Sequence, residues 1–212
     1  MTTTNPLLSL IGPSSEPVTL GRAERMYMTV GAALGGVACV AAWGALAGAA
    51  THQSMKDMLV APVVLVASSL SALPLGVFLG KLFGRAMRAS DMFLAHATAT
   101  FAGAAALLFA APLVALYQHS SSLIGSLVGP ASTVFGLAVG AFVFLRTLGK
   151  LAQTVEARRS FIVPTIAVLV LQALSMMQLA SVLPPLFGHR TTLGHGIDAI
   201  SQPHEAAPSE VQ

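Results

Sequence analysis

Charged side chains divide this chain into long blocks, not the three- and four-residue spacing of a water-soluble helix with one polar face. Residues 26–55, 58–80, 92–145 and 160–189 contain no Asp, Glu, Lys or Arg. A helix crosses a bilayer core of about 30 Å with about 20 apolar residues. The third block is long enough for two crossings and a tight turn. The pattern therefore predicts an all-α, polytopic membrane bundle of five transmembrane helices, over residues 26–49, 58–80, 92–117, 123–145 and 161–187. Residues 1–25 read as a short, flexible cytoplasmic head and residues 188–212 as a flexible exterior tail, with Pro184-Pro185 ending the last helix. Ala47-Gly48-Ala49 resembles a small-residue cleavage site, but the apolar run before it exceeds a signal core of about 7–15 residues. A retained helix is expected.

The basic residues add an orientation. Arg22 and Arg25 precede the first span, Lys81, Arg85 and Arg88 follow the second, and Arg146, Lys150, Arg158 and Arg159 separate the fourth from the fifth. Only Lys56 and Arg190 fall in the other three segments, a split of nine against two. Basic residues gather in cytoplasmic loops, so the N-terminus is expected inside and the C-terminus outside. In a bacterium the membrane would be the inner one.

Composition supports the same class. The chain is 55% hydrophobic and 9% charged, against about 25% charged in a soluble domain. The net charge of +3 follows from the topology signal and calls for no nucleic-acid partner. Cys39 lies alone inside the first span and reads as a small apolar residue.

Within the spans, small residues recur four apart: Gly31/Gly35, Gly44/Gly48, Gly76/Gly80, Gly125/Gly129 and Gly136/Gly140. Residues at i and i+4 share a helix face, so these glycines are expected to make flat strips for helix packing, within one bundle or between copies. Pro74, Pro112 and Pro130 lie inside spans and are expected to kink them.

Buried acids, bases and cations mark ion paths and proton relays. No carboxylate, lysine or arginine lies in the uncharged blocks, which argues against a proton pump, a voltage sensor or ion-coupled transport. The intramembrane polar contacts expected are His96, near the start of the third span, and Gln172 and Ser175 on one face of the fifth; Gln178 is turned away by more than about 100°. The tail histidines His189, His195 and His204 are spaced six and nine apart, which matches no zinc pattern. No nucleophile elbow, phosphate loop or HExxH motif appears. No enzymatic activity, cofactor or metal is expected. Lys81, Arg85, Arg88, Arg146, Lys150, Arg158 and Arg159 are placed to meet anionic headgroups, at about 1 kcal/mol each.

The basic turn "FLGKLFGRAMRASD", the uncharged hairpin after "PLVALYQ" and "TIAVLVLQAL" in the fifth span resemble the Yip family of Ypt/Rab-interacting membrane proteins, over residues 58–187. The family's Gly-Tyr, then Pro, pattern is absent from "HATATFAGAAALLFAAP", as is the long N-terminal region of its eukaryotic members. The resemblance implies a non-enzymatic bundle that organises membrane or partner proteins through helix–helix and lipid contacts. The expected partners are the bilayer itself and a homo-oligomer or membrane-protein complex. The alternative is a small permease, channel or membrane subunit of a transport complex.

Overall fold

The computed structural model describes residues 10–11, 20–49, 54–83, 88–120, 122–152 and 162–182. Five long helices account for nearly all of them: α1 (Arg22–Ala49), α2 (Ser54–Phe83), α3 (Ala89–Ser120), α4 (Ser122–Leu151) and α5 (Ile162–Val182). All five are long and apolar enough to cross a membrane, and no strand occurs among the described residues. The all-α, five-helix expectation is met. Pro184-Pro185 and the tail after it lie outside the described residues.

The helices outrun the uncharged blocks at the ends that carry basic residues. α1 begins at Arg22, where the Glu24 carboxylate accepts the Gly21 N–H at 3.0 Å. A glutamate three positions into a helix that reaches back to the capping residue answers one of the orphan donors there. α4 runs on through Arg146 and Lys150, since cations are favoured at a helix C-terminus. Asp57 and Asp91 occupy the first turns of α2 and α3, where the dipole favours negative charge. The helices also continue through Pro62, Pro74, Pro112 and Pro130. Membrane helices tolerate such interruptions because neighbouring groups re-satisfy the freed backbone.

Four pairs of helices pack along their lengths: α4 on α3, α3 on α1, α1 on α2, and α2 on α5. The backbones of α4 and α5 approach each other closely at only a few positions. The bundle is thus a ring with one loose seam. Lipid tails are as apolar as leucine, so close packing rather than hydrophobic transfer holds such helices together. Two glycines show how. A Cβ on Gly44 would strike the carbonyl oxygen of Asp57, so α1 and α2 meet backbone to backbone. A Cβ on Gly103 would lie 2.6 Å from the Gly136 carbonyl oxygen, so α3 and α4 do the same.

Two apolar clusters fill the ring. At the end away from the basic residues, Val40, Trp43 and Ala47 of α1 pack with Ala61 of α2 and Ala104, Leu107, Ala111 and Val114 of α3. Nearer the basic end, Ala72, Met92, Ala95, Ala99, Phe144, Leu148 and Val168 bring α2, α3, α4 and α5 together. α3 joins both clusters, and residues 94–99 are all buried. The three alanines of that stretch allow this, because small side chains let neighbouring helices close round it. Large apolar side chains such as Tyr27, Leu34, Leu70, Phe78, Phe109 and Met177 point outward, as a lipid-facing surface requires.

Leu10 departs from the flexible head expected over residues 1–25. It is fully buried against Met28 and Leu94, and its carbonyl accepts a hydrogen bond of 2.9 Å from Lys150 Nζ.

Candidate functional site

Inside the ring lies a cavity of about 80 Å³ to which every helix contributes. Val40 comes from α1 and Leu65 from α2; His96, Ala99, Thr100 and Gly103 come from α3. α4 supplies Thr133, Gly136, Leu137, Gly140, Ala141 and Phe144, and α5 supplies Leu169, Gln172 and Met176. The walls are mostly apolar, and the polar groups are few and placed.

His96 sits two turns into α3, with its ring edge-on to Phe144 at a centroid distance of 6.1 Å and an interplanar angle of 88°. That is the favoured T-shaped arrangement of aromatic rings. Its Nε2 is buried without a hydrogen-bond partner among the described residues. Gln172 donates through Nε2 to Ser68 Oγ at 3.0 Å and to Ser69 Oγ at 3.4 Å, tying α5 to α2. Its Oε1 is buried without a partner among the described residues. Two nearby threonines are satisfied locally: Thr98 Oγ1 donates to the Leu94 carbonyl at 2.7 Å and Thr133 Oγ1 to the Gly129 carbonyl at 3.2 Å. Among the described residues, no three His, Cys, Asp or Glu side chains are grouped to hold a metal.

The structure thus brings His96 and Gln172, read separately in the sequence, onto one cavity. Ser175 is only half-buried and does not line it; Gln178 is exposed. Ser68 and Ser69 escaped the sequence reading. Their signal was present as the pair Ser68-Ser69, followed by Ser71, in the middle of an uncharged span.

The predicted packing glycines divide. A Cβ at Gly35 would meet the Phe101 ring at 2.9 Å, at Gly136 the Leu107 side chain at 2.6 Å, and at Gly140 the Ala99 carbonyl at 3.2 Å. Gly76 lies against Val168, and Gly80 and Gly129 are buried. Gly31 faces outward with nothing within 4 Å. The surroundings of Gly48 and Gly125 lie outside the described residues.

A second feature marks the basic end. Arg25 forms an ion pair with Asp91 that joins the starts of α1 and α3, and Arg25 Nε also donates to the Leu20 carbonyl at 3.1 Å. Beside this pair runs a groove of about 540 Å³, lined by Arg22, Arg25 and Arg88 together with Met26, Val30 and Phe93. Of the predicted headgroup contacts, Lys81 and Arg88 are exposed and Arg146 half-buried. Lys150 departs from that reading: it is buried, with the Leu10 carbonyl as a partner. Arg85, Arg158 and Arg159 lie outside the described residues.

No family model, curated protein or solved structure matches the chain; the five apolar helices themselves make it a multi-pass membrane protein.

Proposed function

We propose that this bundle is a non-enzymatic membrane protein that organises membrane or partner proteins through helix–helix and lipid contacts, with its N-terminus in the cytoplasm and its C-terminus outside. The observation that carries the reading is the groove at the basic end. Exposed Arg22 and Arg88 line the same groove as Met26, Val30 and Phe93, which are themselves exposed. Cations beside an apolar furrow complement an anionic phospholipid, headgroup to arginine and acyl chain to furrow, at about 1 kcal/mol per basic residue. The outward apolar faces of the helices offer the rest of the lipid and partner contact. The resemblance of residues 58–187 to the Yip pattern supports the same reading.

Native mass spectrometry of the full chain released from anionic and zwitterionic nanodiscs tests the lipid contact. Anionic lipid is expected to be retained, and Arg22→Gln with Arg88→Gln to reduce its retention about tenfold or more. Reporter fusions near residues 85 and 152 should read inside and one at residue 212 outside; a C-terminal reporter active in the cytoplasm would sink the orientation. A second reading, a small permease or the membrane subunit of a transport complex, is favoured by the cavity within the ring. Solute uptake by the purified chain alone in liposomes would install that reading in place of the first.

A further inference from the structure

Among the described residues, two polar atoms in the cavity wall have no hydrogen-bond partner, His96 Nε2 and Gln172 Oε1. Their side chains are 9% and 7% exposed. The orientation of the Gln172 amide follows from its neighbours. Ser68 and Ser69 both commit their hydroxyl protons to the Leu65 carbonyl, at 2.9 and 2.8 Å. Toward Gln172 they present lone pairs alone, so the amide nitrogen faces them and the amide oxygen is left over. That oxygen accepts and never donates; what it lacks is a donor. His96 Nε2 donates or accepts according to its tautomer. A hydroxyl is the smallest group that suits both atoms, giving its proton to Gln172 Oε1 and offering its own lone pairs to a proton on His96 Nε2.

The remainder of the wall, including Leu137, Phe144, Leu169 and Met176, is apolar, and its volume of about 80 Å³ suits the first few carbons behind a hydroxyl, with the rest of the chain trailing out between the helices. Access follows from the packing. Four neighbouring pairs round the ring are closely packed and the fifth, α4 with α5, is not. Both helices of that loose pair line the cavity, so the way in is sideways, from the hydrocarbon of the bilayer.

We propose that the cavity binds a lipophile bearing one hydroxyl, which enters between α4 and α5 and seats that hydroxyl against Gln172 and His96. Two other occupants make different demands. A lipid acyl chain fills the apolar wall but brings no donor. Water answers the polar atoms but leaves the apolar wall unused.

Photolabelling of the full chain in lipid nanodiscs separates them. The probes are a medium-chain alkanol carrying a diazirine and its methyl ether, which keeps the acceptor and the apolar body but loses the donor. Peptide mapping after irradiation should place the alkanol on the α4 and α5 segments that bound the cavity. Labelling there should exceed that of the ether about tenfold, the worth of one buried hydrogen bond. Gln172→Leu should bring the alkanol down to the ether's level, and Ala141→Leu, which adds bulk to the α4 wall, should suppress both. Equal labelling by the two probes would overturn the proposal in favour of an acyl chain. No labelling of these segments by either probe would overturn it in favour of water. The ether comparison uses the unaltered protein and decides the matter even where a variant fails to fold.

Discussion

The seam between α3 and α4 and the seam between α4 and α5 share one helix and differ in almost everything else. On its α3 side, α4 presents Gly136 and Gly140, and the backbones come close enough that an added methyl group would collide with a carbonyl. Toward α5, the backbones approach closely at only a few positions and leave a cavity. The difference follows from what drives association in lipid. Where small residues face each other, dispersion contacts accumulate over the whole interface. Where leucine, methionine and phenylalanine face each other across polar groups, close approach is blocked and lipid competes on equal terms. A closed seam therefore resists substitution, and a loose one absorbs it.

Unfolding of purified variants, followed by Trp43 fluorescence during denaturant titration, tests that contrast. Gly44→Leu drives a side chain into the Asp57 backbone and is expected to cost the most, about 3 kcal/mol or loss of the folded bundle, since backbone cannot step aside as a side chain can. Next comes Gly103→Val between α3 and α4, at about 1–3 kcal/mol. Arg25→Gln, which removes the partner of Asp91 between α1 and α3, should cost about 1–2 kcal/mol; Arg88 also acts on the Asp91 carboxylate, so the loss falls below that of orphaning a buried charge outright. Ala141→Leu, on the cavity wall toward the loose seam, should change stability by less than about 1 kcal/mol. If Ala141→Leu proves as damaging as Gly103→Val, the two seams do not differ in the way described. Gly31→Leu marks the floor, at about 0.5 kcal/mol or less. A shift from dimer to monomer in that variant, read by mass photometry, would reveal a partner copy against the outward face of α1.

The five helices were legible because a bilayer imposes a length, and length can be read along a chain. Their ends were less so. Charge marks where water begins rather than where a helix stops, which is why α1 starts at Arg22 and α4 runs to Leu151. Which helix meets which was not legible at all. His96 and Gln172 lie on helices far apart in the chain, and nothing local in either span predicts a shared cavity. Gly103 shows a subtler loss. Its neighbours four residues away are Ala99 and Leu107, so a search for glycines at that spacing passes over it. It is nonetheless the glycine of α3 that lies against the Gly136 carbonyl of α4. A single small residue suffices when the facing helix supplies the remainder of the strip. Lys150 misled in the opposite direction. It sits among basic residues as a headgroup contact would, yet packing of Leu10 against the bundle turns its amine inward.

The enclosure of residues 94–99 in α3 bears on how this protein can drift in evolution. Residues 94–99 of that helix have no lipid-facing side to absorb change, whereas Tyr27, Leu34, Phe109 and Met177 face outward and can exchange among apolar residues with little penalty. Two descendants could diverge over most of their surface while retaining the small, buried positions of α3 and the glycines that meet its neighbours. Kinship in such a protein would be carried by a sparse pattern of residue size along one helix, with chemical identity nearly erased elsewhere.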